Sequence, residues 1–248
     1  MKIVFLGDSL TWGGYGGNFV DEVRRLLPDH EIINAGEGGN TVLNLLRRLE
    51  RDVLSHQPDA VFVMVGGNDA ISYSQFKTRS YYRQAQDIEN GFVTPEMFET
   101  GYRDLLTQLQ LAHVITWVGL EPSEYNQTVT DTLYDYNQRL REMARSMNVP
   151  VLDLMSEFNP AHVPERQPLD IGFILTIGKR EQTGWNEFEK AQKEGGYSFS
   201  FDGLHLTPLS AKKIGARIAQ FVQGQTSRPQ LNGQTKSKGP GHASSSRE

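Results

Sequence analysis

The sequence predicts an α/β fold: a three-layer α/β/α sandwich with a five-stranded parallel sheet. Three observations carry this. Short apolar runs without polar alternation, such as Ile3-Val4-Phe5-Leu6 and Ala60 to Val65, read as strands buried on both faces. Segments with apolar residues at helical spacing lie between them, and alternating strands and helices with short connections build a parallel sheet covered on both sides. The unusual loops, at 7–16, 35–40, 66–94 and 158–207, all follow strands. They therefore meet on the carboxyl edge of the sheet, where open α/β sheets bind ligands.

Taken in order, Ile3 to Leu6 is the first strand. Phe19, Val23, Leu26 and Leu27 give the first helix its apolar face, and Pro28 closes it. Glu31 to Asn34 is a short second strand, followed by a glycine-rich loop at 35–40. Thr41 or Asn40 caps a helix whose face is Val42, Leu45, Leu46, Leu49 and Val53. After a turn at Gln57-Pro58-Asp59, the third strand runs from Ala60 to Val65 into Gly66-Gly67-Asn68-Asp69. No period is clear from 70 to 94, which reads as a long loop with helical pieces. Thr94 followed by Pro95 marks a helix start, and Phe98, Tyr102, Leu105 and Leu109 form the stripe of that helix. Val114 to Leu120 is the fourth strand. Leu133, Tyr136, Leu140, Met143 and Met147 face a further helix, and Val149 to Asp153 is the fifth strand. From 158 to 200 the pattern breaks into scattered aromatics, prolines and glycines, and an irregular stretch of that length points to function. Thr207-Pro208 opens a last helix with Ile214, Ile218, Phe221 and Val222 inward.

The length of 248 residues suits one substantial domain. Its expected extent is 1–223, with irregular insertions at about 70–94 and 158–200. The remainder, 224–248, is rich in Gln, Ser, Gly, Pro and Lys, cannot bury a core, and is expected to be disordered. The net charge of −5, with Arg228, Lys236, Lys238 and Arg247 in the tail, leaves an acidic body that argues against a nucleic-acid groove or an anionic membrane surface. No apolar stretch approaches the roughly 20 residues that span a bilayer. Asp8 interrupts the only signal-like run, so the start of the chain reads as the first strand of a cytoplasmic protein. The absence of cysteine excludes disulfides, thiolate metal sites and cysteine catalysis.

Gly7-Asp8-Ser9-Leu10 ends the first strand and directs Ser9 out of the carboxyl edge. A serine becomes a nucleophile when a base removes its proton, and histidine does this best when a carboxylate fixes its tautomer. Asp202-Gly203-Leu204-His205 offers both groups. The three-residue spacing lets Asp202 fold back onto Nδ1 and leaves Nε2 to face Ser9. Donors for an oxyanion are available in the Ser9 N–H, in the loop 35–40, where Gly36, Gly38 and Gly39 compete, and in the neutral amide of Asn68. Asp8 reads as a hydrogen-bond acceptor for backbone N–H groups, and Asp69 as a brace for its own loop. Gly13-Gly14-Tyr15-Gly16-Gly17 reads as a flexible turn, since no Gly-Lys-Ser/Thr follows to make a phosphate cradle. His30, His56, His113 and His162 have no partnered spacing, so no metal site is expected. Arg166, Lys179 and Arg180 read as solvated surface.

Gly7 to Leu10, Asn34 to Thr41, Gly66 to Asp69 and Asp202 to His205 resemble, in order and in place, the four signature blocks of the SGNH (GDSL-type) hydrolase superfamily. The resemblance spans residues 1 to about 223 and implies the flavodoxin-like fold of that superfamily. It implies Ser9 as nucleophile, His205 as base, Asp202 as its carboxylate partner, and Asn68 as an oxyanion donor. Anchoring its second block on Asn34 and Thr41 selects Gly39 as the glycine donor, although Glu37 stands where the family carries a small or apolar residue. The Gly-x-Ser-x-Gly elbow of α/β-hydrolases is missing. The implied activity is hydrolysis of a carboxylic ester through an acyl-enzyme, on a small-molecule ester and with no cofactor. A thioesterase, lysophospholipase or carbohydrate deacetylase on the same site is the alternative, and a non-catalytic binding module is a further one.

Overall fold

Five strands hydrogen-bond in parallel in the order β2-β1-β3-β4-β5: β1 Lys2–Gly7, β2 Glu31–Gly36, β3 Ala60–Met64, β4 Ile115–Gly119 and β5 Val151–Leu152. The structure is a computed structural model and describes residues 1–227. The strand order reverses at β1, so the carboxyl end of β1 opens into the crevice that such sheets use for ligands. Register sharpens this: Gly7 lies beside Gly36 on one side and Met64 on the other. Three strands therefore end level, and the residues that follow them share one edge.

The helices, in chain order, are α1 Ser9–Trp12 and α2 Phe19–Leu26 after β1, and α3 Val42–Asp52 after β2. After β3 come α4 Gly67–Ser74, α5 Arg79–Gln84 and α6 Pro95–Leu111, and after β4 comes α7 Gln127–Ser146. After β5 come α8 Leu154–Glu157, α9 Ile171–Gln182, α10 Phe188–Gly195 and α11 Pro208–Thr226.

Strand alternation sets the layers. Val4, Leu6, Val61 and Val63 pack into one core with Leu45 of α3, Leu105 of α6 and Tyr136 of α7. Ile3, Phe5, Ala60 and Phe62 pack into the other with Phe19 and Val23 of α2 and Ile214 and Ile218 of α11. Both faces of β1 and β3 are buried, which is why their sequences read as unbroken apolar runs. Capping follows the sequence. Thr94 accepts from the Met97 N–H and Thr207 from the Ser210 N–H, each with proline next. For α3 the cap is Thr41, whose N–H and hydroxyl both donate to Asn44 Oδ1, while Asn40 accepts from the Arg48 Nε.

Several expectations change. The fifth strand is Val151–Leu152 alone, because Asp153 turns the chain into α8 by accepting the Ser156 N–H. The stretch 158–200 contains α9 and α10. It shows no clear period because α10 buries no residue and α9 fully buries only Ile177, with Phe173 and Ile174 half-buried at the edge of the first core. The stretch 70–94 does hold helical pieces, namely the end of α4, a 3₁₀ turn at Phe76–Thr78, and α5. Helix α11 continues to Thr226, past the expected boundary at 223, and 228–248 of the expected tail lie outside the described residues. Among the described residues no helix is long and apolar enough to cross a membrane.

Phe62 sits in the middle of the second core at 1% exposure, its ring 5.4 Å from that of Phe5 and 6.5 Å from that of Phe221. We expect Phe62→Ala to lower unfolding free energy by about 3–5 kcal/mol, read from urea denaturation. A loss below about 1 kcal/mol would contradict the burial of Phe62 in this core, since collapse around the void removes only the cavity part of the cost.

Candidate active site

The site begins where β1 ends. Asp8 caps α1 by accepting the Leu10 N–H at 3.0 Å, and Ser9 is the first helical residue. The N–H of Ser9 has no intrahelical acceptor, as at any helix start. From the far end of the chain, His205 reaches Ser9: Nε2 lies 3.1 Å from Oγ. His205 Nδ1 lies 2.9 Å from Asp202 Oδ2. The other Asp202 oxygen accepts the N–H groups of Leu204 at 2.9 Å and His205 at 2.7 Å. Burial on its own pushes the Asp202 carboxyl up. The charge of His205 and these hydrogen bonds outweigh burial and leave its pKa below the ordinary value. An ionised Asp202 accepts from Nδ1–H and so leaves Nε2 as an acceptor toward the Ser9 hydroxyl.

The loop that carries this pair is held from below. Glu124, fully buried, accepts the N–H groups of Ser198 (2.7 Å), Phe199 (2.9 Å) and Ser200 (2.8 Å) and the Ser200 hydroxyl (2.7 Å). The Glu124 N–H donates to Gly203 O at 3.1 Å. The Gly17 N–H donates to Leu206 O at 2.8 Å, and a Cβ on Gly16 would lie 2.4 Å from that same oxygen. The glycine run 13–17 thus permits close approach to the His205 loop, rather than serving only as a flexible turn. The His205 ring lies edge-on to Tyr15 at 5.1 Å and nearly parallel to Phe201 at 6.1 Å. Trp185 and Phe188 pack on Phe201 at 5.5 and 5.0 Å, so two aromatics of the 158–200 insertion support the wall behind the histidine.

Asn68 stands at the start of α4. Its Nδ2 donates to Asp8 Oδ2 at 3.0 Å, and its Oδ1 accepts from the Tyr82 hydroxyl at 2.8 Å. A carboxylate on one side and a phenol on the other fix which way the amide faces. One N–H of Nδ2 is used on Asp8, and the second has no protein partner among the described residues. Gly39 adopts φ +78°, a left-handed conformation that favours glycine, and its N–H likewise has no partner among the described residues. Ser9, His205, Gly39 and Asn68 line one cavity of about 660 Å³, counting its open mouth, together with Ile71, Leu169, Phe173, Ile174 and Ile177. The structure therefore brings together Ser9, His205, Asp202, Asn68 and Gly39. Asp69 lies apart, fully buried, where its two oxygens accept the Val42 N–H at 3.1 and 3.2 Å and brace the start of α3.

Sequence reasoning missed three participants, and part of the role of a fourth. Asp8 binds the backbone as expected, and it also holds Asn68. Tyr82, Glu124 and Glu121 were hidden in stretches read as loop or strand end. Position was the available signal for both glutamates, since they follow β4 on the same carboxyl edge as Ser9. Glu121 lines the cavity and accepts the Gly67 N–H at 3.0 Å. Arg166 and Arg180 are not simply solvated. Arg166 sits 4.9 Å over the Tyr197 ring and donates to Asp202 O at 3.4 Å, and Arg180 sits 4.6 Å over Trp185.

The model of the GDSL-like lipase/acylhydrolase family matches residues 5–212. An acetylxylan esterase of Geobacillus stearothermophilus is 36% identical over a stretch covering 57% of this chain and 80% of that protein. Among solved structures, the acetyl xylan esterase AlAXEase superposes with a TM-score of 0.62 at 20% identity, covering 90% of this chain and all of that one. A lipase/acylhydrolase from Enterococcus faecalis gives 0.60 at 21% identity, covering 90% of this chain and 96% of that one. These two likenesses speak for the fold, which is the one expected from the sequence.

Burial pushes the Asp8 carboxyl up to about 6, against the opposing pull of the Leu10 N–H, the charge of His205 and the Asn68 amide. The raised value means that folding favours protonated Asp8. Its contribution to stability is greatest below the unfolded carboxylate pKa and is lost as pH rises through about 6. Asp8→Asn removes this titration. We expect the stability difference between variant and wild type to move in favour of the variant by up to ~3 kcal/mol between about pH 4 and pH 7. Urea denaturation across that range reads it, and a difference independent of pH would contradict the assignment.

Proposed function

On the premise that the chain belongs to the GDSL-like lipase/acylhydrolase family, we propose that it is a serine ester hydrolase that works through an acyl-enzyme on a carboxylic ester. The observation that carries the reading is the continuous hydrogen-bonded chain from Ser9 Oγ through His205 to Asp202 at the wall of a cavity. Ser9 Oγ attacks the ester carbonyl while His205 Nε2 takes its proton. Asp202 holds the Nδ1–H tautomer and stabilises the imidazolium that forms. The developing oxyanion is held by the N–H groups of Ser9 and Gly39 and by the free N–H of Asn68. All three are neutral donors, two at the starts of α1 and α4 and one in the loop between β2 and α3. His205 then returns its proton to the leaving alcohol, and water, deprotonated by the same nitrogen, releases the acid and restores Ser9.

Asp8 and Tyr82 are positioning residues in this scheme, because they hold the Asn68 amide with a donor free for the oxyanion. The apolar cavity wall receives the acyl group. A carbohydrate ester is the second reading, favoured by the 36% identical relative named as an acetylxylan esterase.

With the nucleophile removed, Ser9→Ala should hydrolyse an aryl acetate no faster than a protein-free control, with an unchanged circular dichroism spectrum. Turnover at the wild-type rate would refute the mechanism. Asn68→Ala should lower kcat by about 10²–10³ with KM little changed. A change confined to KM would make Asn68 a substrate-binding group and not an oxyanion donor.

A further inference from the structure

Glu121 stands out among the residues around the cavity that the mechanism does not use. It is a carboxyl at 5% exposure in a largely apolar lining. Its backbone is fixed, since the carbonyl accepts from Asn137 Nδ2 at 2.9 Å. One side-chain oxygen, Oε2, accepts the Gly67 N–H at 3.0 Å, one residue before Asn68. The other, Oε1, has no hydrogen-bond partner among the described residues, and it is not among the buried polar atoms sealed off from solvent. The place is shaped for this group: a Cβ on Gly67 would lie 2.4 Å from Oε1. Nor does Glu121 combine with Asp8 and Asp69 into a cation site, for the described residues contain no group of three or more acidic or histidine side chains arranged to hold a metal.

A carboxyl oxygen that no group among the described residues satisfies, facing a largely apolar cavity, is a ready hydrogen-bond partner for a polar group on a ligand. We propose that Glu121 is a specificity-determining residue whose Oε1 hydrogen-bonds a hydroxyl of the substrate, so that the site prefers esters bearing a hydroxyl near the reacting carbonyl. Burial first, and then the charges of Asp8 and Asp69, push the carboxyl well above the ordinary range. Oε1 accepts a hydrogen bond when the carboxyl is ionised and can donate one when it is protonated. A hydroxyl does both in return. The sharing of one cavity by Glu121, Ser9 and Asn68 places the preferred hydroxyl within the ester's immediate neighbourhood. That hydroxyl belongs either to the acyl chain or to the alcohol. The inference rests on the reading of Ser9 as the nucleophile.

Two matched substrate pairs test it: phenyl 3-hydroxybutyrate against phenyl butyrate, and the monoacetate of cis-1,2-cyclohexanediol against cyclohexyl acetate. In wild type we expect kcat/KM to favour the hydroxylated member of one pair by about tenfold or more, and the pair that responds identifies the source of the hydroxyl. Glu121→Leu should erase that preference. Glu121→Gln, which keeps a donor and an acceptor, should retain it to within about threefold. No preference in wild type for either pair overturns the proposal. So does an equal fall for both members of the responding pair in Glu121→Leu, which would make Glu121 only a support for Gly67. Ser9→Ala is assayed on the better substrate as a separate arm. Activity there overturns the serine mechanism, whereas Ser9-dependent hydrolysis without hydroxyl preference overturns this inference alone.

Discussion

The buried carboxylate of Glu124 is the contact on which the site depends. Ser9 and His205 are 196 residues apart in sequence, and the chain that carries His205 is not a strand of the sheet. Its own backbone supplies only the isolated antiparallel bridge between Ser200 and Leu206. Glu124 adds to this by collecting three N–H groups and a hydroxyl from Ser198 to Ser200, while its own N–H ties Gly203, and the Gly17 N–H on Leu206 O joins the loop to the segment after Ser9. Four donors on one carboxylate compensate its desolvation, and charge-assisted bonds of this kind are stronger than neutral ones. Without that anchor, nothing in the sheet fixes the distance from imidazole to serine.

The remaining parts divide along the same edge. Level strand ends at Gly7, Gly36 and Met64 set Ser9, the Gly39 loop and Asn68 side by side. Fixed hydrogen bonds then determine what each one presents. Asp8 and Tyr82 clamp the Asn68 amide, and Asp69 pins the start of α3 just after the Gly39 loop. The acids that do this positioning are buried, and burial raises Asp8, Asp69 and Glu121 together. Asp202 is the exception, with its pKa lowered, since His205 and two N–H groups stabilise its charge. Acids buried close together thus differ in proton affinity because of their partners, and the one held below its ordinary value is the one against the histidine.

Much of this is legible in the sequence where the physics is local. Doubly buried strands such as Ala60–Met64 announce themselves as apolar runs, and helices α6 and α11 by Thr-Pro caps and periodic faces. The motif residues Ser9, Asn68, Asp202 and His205 fall together because each follows a strand or opens a helix on one edge. What stays hidden depends on distant partners. Glu124 looks like any loop acid until Ser198 to Ser200 return to it. Helix α10 buries no residue and α9 fully buries only Ile177, so their sequences read as irregular. The edge strand β5 is cut short by Asp153, whose capping of α8 competes with strand pairing. The glycines at 13–17 suggest flexibility in sequence, and in the fold Gly16 and Gly17 allow the Leu206 backbone to approach closely.

The central claim is that Ser9 carries the acyl group between two half-reactions. The most direct measurement is intact-protein mass spectrometry after rapid acid quench during turnover of an activated aryl ester, followed by peptide mapping. A mass increase equal to one acyl group, located on the peptide containing Ser9 and absent from Ser9→Ala, is the predicted result. An acyl group on another residue, in an enzyme that turns over normally, would contradict the assignment.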